Sequence, residues 1–173
     1  MSDTRGRILL VEDTPTQAEV AKALLADLGH EVRHAANGTD GLRMALEWQP
    51  DAILVDLQLP DFSGFDLMRK LRAQGSRAVL IVLTANGSVD AAVEAMRLGA
   101  MDFIVKPYGK ARLKVTLDNA LEKRALRAEL VQVRTQLQTT ARRHTEQRNT
   151  IRYLIGCLVF LAGVMALFIL AGF

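Results

Sequence analysis

Four places in this 173-residue chain set a chemically capable side chain directly after a short apolar run. Glu12 and Asp13 follow the run 8–11, Asp56 follows 53–55, Thr84 follows 79–83 and Lys106 follows 103–105. In an open parallel sheet covered by helices on both faces, ligand sites form at the carboxyl ends of the strands, where residues distant in sequence meet. Three acids, a hydroxyl and an ammonium would then share one crevice. Carboxylates held that close repel one another, and a hard divalent cation such as magnesium relieves the repulsion. One acid must stay free to attack phosphorus in line, while the metal and a cation neutralise charge on the phosphoryl oxygens. The chemistry of the set is phosphoryl transfer to a carboxylate, with Asp56 as nucleophile and Lys106 as cation. Thr84 can donate a hydrogen bond to the new group and be drawn toward it, which makes it both ligand and switch.

The elements that must position these residues are legible in the same half of the chain. Thr14 reads as the cap of a helix whose first residue is Pro15, and Gly29 ends it. Apolar Leu42, Ala45 and Leu46 mark a second helix, and Phe65, Leu67, Met68 and Leu71 a third. Val89, Ala92, Val93 and Met96 mark a fourth, ending at Gly99. Residues 32–35 supply the remaining, weaker strand. Strands alternating with helices predict an α/β fold, a doubly wound five-stranded parallel sheet with right-handed crossovers.

Residues 5–125 resemble the receiver domain of bacterial two-component response regulators. The resemblance rests on Glu12-Asp13 after the first strand, Asp56-Leu57-Gln58-Leu59-Pro60 with Gly64 after the third, Thr84-Ala85 after the fourth and Lys106-Pro107 after the fifth. It implies the flavodoxin-like receiver fold. It also implies that Asp56 takes a phosphoryl group from a phosphohistidine of a sensor histidine kinase or phosphotransfer protein. Magnesium would be held by Asp13, Asp56 and the backbone carbonyl of Gln58, with Glu12 acting mainly through metal-bound water. Gln58 and Asn86 occupy the positions that tune the lifetime of the phosphoryl group in relatives. Phe103 is the aromatic residue that rotates inward when Thr84 moves, and it lacks the hydroxyl a tyrosine would offer a partner. Such a protein is not an enzyme beyond assisting its own phosphorylation and dephosphorylation. His30, His34 and His144 have no acids or cysteine at metal spacing, and all three read as surface residues.

The rest of the chain is different in kind. Residues 1–110 carry 12 Lys and Arg against 15 Asp and Glu, whereas 111–152 carry 10 against 4, and no charge follows. That basic segment reads as one helix with no second helix, aromatic platform or zinc spacing, which argues against nucleic-acid binding. Residues 153–173 form an uncharged, mainly apolar stretch, ~32 Å as a helix, enough to cross a bilayer core. Arg142, Arg143, Arg148 and Arg152 precede it, and the excess of positive charge on the cytoplasmic side places the receiver in the cytoplasm. The expected organisation is a receiver at 5–125, a basic helical or coiled-coil linker at 126–150 and a single transmembrane helix at 151–173. With a polar start and no signal peptide, the protein is expected to be tail-anchored in the cytoplasmic membrane. Cys157 lies inside the expected span as a small packing residue.

Between domain and anchor, Leu126, Leu130, Val133 and Leu137 recur at the spacing of a coiled-coil seam. The seam turns polar at Thr140, His144 and Gln147, and apolar spacing resumes at Ile151, Leu154, Leu158 and Leu161. The seam is compatible with a homodimer, and a solvated charged helix is an equal alternative. The output is then contact with itself or with an unknown downstream protein. Two other readings stay open: a passive scaffold or phosphate sink, and the N-terminal part of a larger membrane-bound signalling enzyme.

Overall fold

The computed structural model describes residues 5–85 and 87–170, without the side chains of 137–152, 157, 159, 160, 164 and 166–170. Asn86, the side chain of His144 and much of the expected span at 151–173 therefore lie outside the described residues. The elements alternate: β1 (Arg7–Val11), α1 (Pro15–Asp27), β2 (Glu31–Ala35), α2 (Gly38–Trp48), β3 (Ala52–Asp56), α3 (Gly64–Ala73), β4 (Val79–Thr84), α4 (Val89–Arg97), β5 (Ala100–Val105) and α5 (Lys110–Leu170). The five strands pair in parallel in the order β2-β1-β3-β4-β5. This is the doubly wound sheet expected from the alternation of patterns.

Because successive strand residues point to opposite faces, each central strand feeds two cores. Ile8, Leu10, Leu54, Ile81 and Leu83 pack with Ala18, Ala21 and Leu25 of α1 and Leu113, Leu117 and Leu121 of α5. Leu9, Val11, Ile53, Val55, Leu80 and Val82 pack with Ala45 and Trp48 of α2, Leu67, Met68 and Leu71 of α3, and Ala95 of α4. Strands β3 and β4 are buried along their whole lengths, as a strand covered on both faces must be.

Helix starts are set by short polar side chains. Asn37, Ser63 and Ser88 accept hydrogen bonds from the N–H groups of Asp40, Asp66 and Ala91, satisfying donors left open at the first turns of α2, α3 and α4. Thr14 departs from expectation. It occupies the cap position before Pro15, but its side chain makes no capping bond and its hydroxyl turns instead to Asp13 Oδ1, at 3.3 Å. Gly29 and Gly99 follow their helices at φ +86° and +85°, the left-handed conformation that favours glycine.

The chain divides into two units, Met1–Leu126 and Arg127–Phe173. In the first, α5 is tied to β5 by Thr116, whose buried hydroxyl donates to Asp102 Oδ2 at 2.7 Å, and by Arg112, which donates to both Asp102 oxygens. In the second, the helical segment exposes Leu130, Val131, Val133, Leu154, Leu158 and Leu161. Among the described residues no helix is long and apolar enough to cross a membrane.

Candidate phosphoryl-transfer site

The parallel register brings the ends of β1, β3, β4 and β5 side by side. Asp56 and Thr84 are the last residues of their strands, Glu12 and Asp13 follow β1 and Lys106 follows β5. Carboxylate oxygens of Glu12, Asp13 and Asp56 lie within 4.8 Å of one another. The Lys106 ammonium bridges two of these acids, at 2.5 Å from Glu12 Oε2 and 2.5 Å from Asp56 Oδ2. Three negative groups against one positive leave a deficit that a divalent cation would fill, and an all-oxygen donor set suits magnesium. Glu12 and Asp56 are buried, whereas Asp13 is exposed and reaches solvent. The site is thus closed on one side and open on the other.

Backbone groups orient the acids. The Gln58 N–H donates to Asp56 Oδ1 at 3.0 Å, and the Thr14 N–H donates to Glu12 Oε1 at 3.3 Å. Gly64 opens α3 so close to β3 that a Cβ there would meet the Asp56 carbonyl oxygen at 2.2 Å, so the turn after Asp56 admits only a hydrogen at that position. The Lys106 N–H donates to the Thr84 carbonyl at 2.8 Å, which couples the hydroxyl-bearing strand end to the lysine-bearing one. Phe103 is half-buried against the core cluster on the α2, α3 and α4 face, with Val82 as its register partner on β4.

The crowding of charge marks the titratable groups. Burial pushes the Glu12 carboxyl above its ordinary range, reinforced by the Asp56 charge, while Lys106 and the Thr14 N–H pull the other way. Burial and the charges of Glu12 and Asp56 push the Tyr108 phenol up to about 12. Tyr108 was not singled out from the sequence, although it stands two residues beyond Lys106.

Two histidines are not the plain surface residues expected. His34 is half-buried with Nε2 at 2.8 Å from the Glu12 carbonyl oxygen, so it holds the backbone that presents an acid of the site. His30 is half-buried at the opposite end of the sheet and accepts from the Gly6 N–H at 3.3 Å. Asp61 was also missed. Desolvation opposes its ionisation, but hydrogen bonds from the Thr39 hydroxyl and from the N–H groups of Gly38, Thr39 and Phe62 hold the carboxyl of this exposed side chain well below the usual range. It ties the loop after Asp56 to the start of α2.

Residues 8–118 match the response regulator receiver domain family. The chain belongs to that family. It is a phospho-accepting receiver domain of a two-component system, and receiver domains interact with histidine kinases or phosphotransfer proteins. The receiver is 40% identical over 114 residues to the regulatory protein LuxO of Vibrio vulnificus, covering 66% of this chain and 25% of LuxO. It is 37% identical over 107 residues to SilR of Salmonella typhimurium, a probable transcriptional regulatory protein, covering 62% of this chain and 47% of SilR. The chain therefore spans about a quarter to a half of these relatives. Among solved structures, the signal receiver domain of a LuxO repressor protein from Vibrio parahaemolyticus superposes with a TM-score of 0.70 at 34% identity, over 73% of this chain and 98% of that one. The receiver domain of a sensor histidine kinase from Pseudomonas aeruginosa, with a magnesium ion coordinated in its active-site cleft, gives 0.64 at 35% identity, over 69% of this chain and 99% of that one.

Proposed function

We propose that this receiver accepts its phosphoryl group on Asp56 from a phosphohistidine, and that the segment 151–173 holds it at the cytoplasmic face of a membrane as a single-pass anchor. The observation that carries the first half is the Lys106 ammonium bridging Glu12 and Asp56 beside a third carboxylate, Asp13. Asp13, Asp56 and the Gln58 backbone carbonyl would hold magnesium, with Glu12 beside them. The ion would supply charge neutralisation on the phosphoryl oxygens. An Asp56 carboxylate oxygen forms the new O–P bond as the N–P bond of the phosphohistidine breaks, and the nitrogen keeps the electron pair. Lys106 is placed to neutralise charge that develops on a phosphoryl oxygen.

The reporting step runs through Thr84 and Phe103. Drawing the Thr84 hydroxyl toward the phosphoryl group displaces the end of β4, and the backbone bond from Lys106 carries that shift to β5. Phe103 then turns into the space vacated. Gly87 follows the same strand, and a Cβ on it would lie 2.9 Å from Val105 Cγ2, so the loop after Thr84 rests directly on the end of β5. The receiver signals by contact, with itself or with a downstream protein.

What supports the anchor is composition together with exposure: 153–173 has no charge, four arginines precede it, and Tyr153, Leu154, Ile155, Leu158, Leu161 and Met165 are all exposed on a helix. Incubation of the full chain with a small-molecule phosphoryl donor and magnesium tests the acceptor. The expected product carries hydroxylamine-labile phosphate, absent from Asp56→Asn and from samples treated with chelator. Equal labelling of Asp56→Asn sinks the assignment. Fractionation tests the anchor, with the full chain expected in the membrane pellet and a chain ending at residue 137 in the supernatant.

A further inference from the structure

We infer that the helical segment around 122–137 is the interface between two copies of this chain, paired in parallel and in register. The inference rests on the reading of the output as contact and gives that contact a surface. Leu130 and Val133 are 69% and 47% exposed, and Leu126 is 54% exposed. Together with Leu137 they fall at alternating a and d positions of a heptad, with Leu130 and Leu137 at a and Leu126 and Val133 at d. An apolar seam of this spacing gains nothing from water and is the stripe that a second helix covers.

Charge decides which helix and in which direction. With this register Glu122 and Glu129 fall at g, and Arg127 and Arg134 fall at e. In a parallel pair each g residue faces the e residue five positions later on the other helix. Glu122 then meets Arg127 of the partner subunit, and Glu129 meets Arg134 of the partner subunit, each pair twice by symmetry. An antiparallel pair would set g against g and e against e, glutamate on glutamate and arginine on arginine. The sequence therefore favours the parallel homodimer and disfavours the reversed one.

The seam is short at both ends. The a position before Leu126 is Lys123, which would face its own copy, and the d and a positions after Leu137 are Thr140 and His144. Fewer than two full heptads hold helices together weakly, so the pairing depends on the copies being concentrated by something else. Shared residence on a membrane and a change in the receiver at Asp56 are two such influences. A short seam suits that use, since a weak contact can be tipped by a small additional interaction.

The test uses the full chain in phospholipid vesicles with Cys157→Ala as background, and reads oxidative crosslinking of single cysteines with and without magnesium and beryllofluoride. Leu130→Cys, at a, is expected to crosslink at least about tenfold faster than Ala128→Cys, at the outward f position. In the Leu130→Cys background, Glu122→Arg with Glu129→Arg makes both flanks basic, and Arg127→Glu with Arg134→Glu makes both acidic. Each variant alone is expected to fall to the Ala128→Cys rate, and an equal mixture of the two is expected to regain the parent rate. Equal rates at 128 and 130, single-sign variants that crosslink as fast as the parent, or a mixture that stays slow would each overturn the interface. Hydroxylamine-labile phosphate measured on the same vesicles separates the two readings. Its loss with crosslinking intact rejects the Asp56 assignment alone, and labelling with no selective crosslinking rejects this interface alone.

Discussion

At the amino end of the sheet one acid, Asp51, is held by a backbone N–H and one arginine, whereas at the carboxyl end three acids cluster around one lysine. Asp51 Oδ2 accepts the Arg7 N–H at 2.7 Å and its other oxygen pairs with Arg124. The Arg7 guanidinium caps the end of α2 by donating to the carbonyls of Trp48 and Gln49, at 2.9 and 2.8 Å, and lies with Arg33 against the Trp48 ring. Asp51, Arg7 and Arg124 each have a protein partner, so this cluster is a clasp. At the other end Lys106 is divided between Glu12 and Asp56, and Asp13 lies beside them. Both ends contain buried or half-buried acids and cations. What separates scaffold from chemistry is whether each charge is met: at the amino end Asp51 has Arg124 and the Arg7 guanidinium has two carbonyl acceptors, whereas at the carboxyl end three acids outnumber the one cation among them and create demand for a cationic ligand.

The largest effect comes from the backbone on which the carboxyl end is built. Gly64→Ala would drive a methyl against the Asp56 carbonyl oxygen at 2.2 Å and Leu57 Cα at 2.9 Å, neither of which is the end of a flexible side chain. The expected loss is about 3 kcal/mol, with phosphorylation falling too, since the loop that aims Asp56 must shift. Gly109→Ala, with nothing within 4 Å of the added carbon, is the matched control and should stay within about 0.5 kcal/mol. Urea denaturation of the full chain with each substitution reads both numbers. Similar losses in the two would mean that the turn after Asp56 has room to give.

At the clasp, Asp51→Ala leaves the Arg7 N–H without its acceptor and Arg124 without its carboxylate. About 2 kcal/mol of stability should go, with the rate of phosphoryl incorporation at saturating donor unchanged. A drop in that rate, in protein that is still folded, would break the division between the two ends.

Much of this was open to reading in the sequence, for a physical reason. The site residues lie at strand ends, and strands buried on both faces announce themselves as apolar runs, so Glu12, Asp13, Asp56, Thr84 and Lys106 could be placed by finding where each run stops. Gly29 and Gly99 were legible because positive φ restricts residue choice. The clasp was not legible, because Arg7, Trp48, Asp51 and Arg124 are joined by tertiary contacts over 40 or more residues and no local period encodes them. His34 escaped for the same reason, being held to Glu12 across paired strands. Thr14 shows the limit of local rules, since the neighbouring Asp13 won its hydroxyl away from the helix it precedes.

A surplus of acids should also cost stability when no cation is bound. Asp56→Asn removes one of three mutually repelling charges and leaves Lys106 paired with Glu12. In chelator the variant is expected to be more stable than the parent by about 1 kcal/mol while taking up no phosphate. Adding magnesium should raise the melting temperature of the parent and move the variant much less, so that the gap closes. A variant that is less stable in chelator would mean that Lys106 already matches the cluster.

Asp61 separates balance from location. It stands in the loop after Asp56, on the carboxyl side of the sheet, yet it is matched like Asp51: its oxygens accept from Gly38 N–H at 2.9 Å, Thr39 N–H at 2.8 Å and the Thr39 hydroxyl at 2.7 Å. Asp61→Asn keeps the shape and removes the charge that those donors favour at the start of α2. The expected loss is about 1 kcal/mol near neutral pH, the size of a helix-cap effect and screened by the solvent around this exposed side chain. Its pH dependence has a definite sign. The folded carboxyl titrates below its unfolded value, so its contribution is fully present above about pH 4 and fades as acid protonates the native state. Parent and variant should therefore converge in stability as pH falls from 6 toward 2 in urea melts. A gap that stays constant over that range would assign the effect to the shape of the side chain, and the matching of charge would no longer explain why this acid at the active end of the sheet behaves like the one at the other.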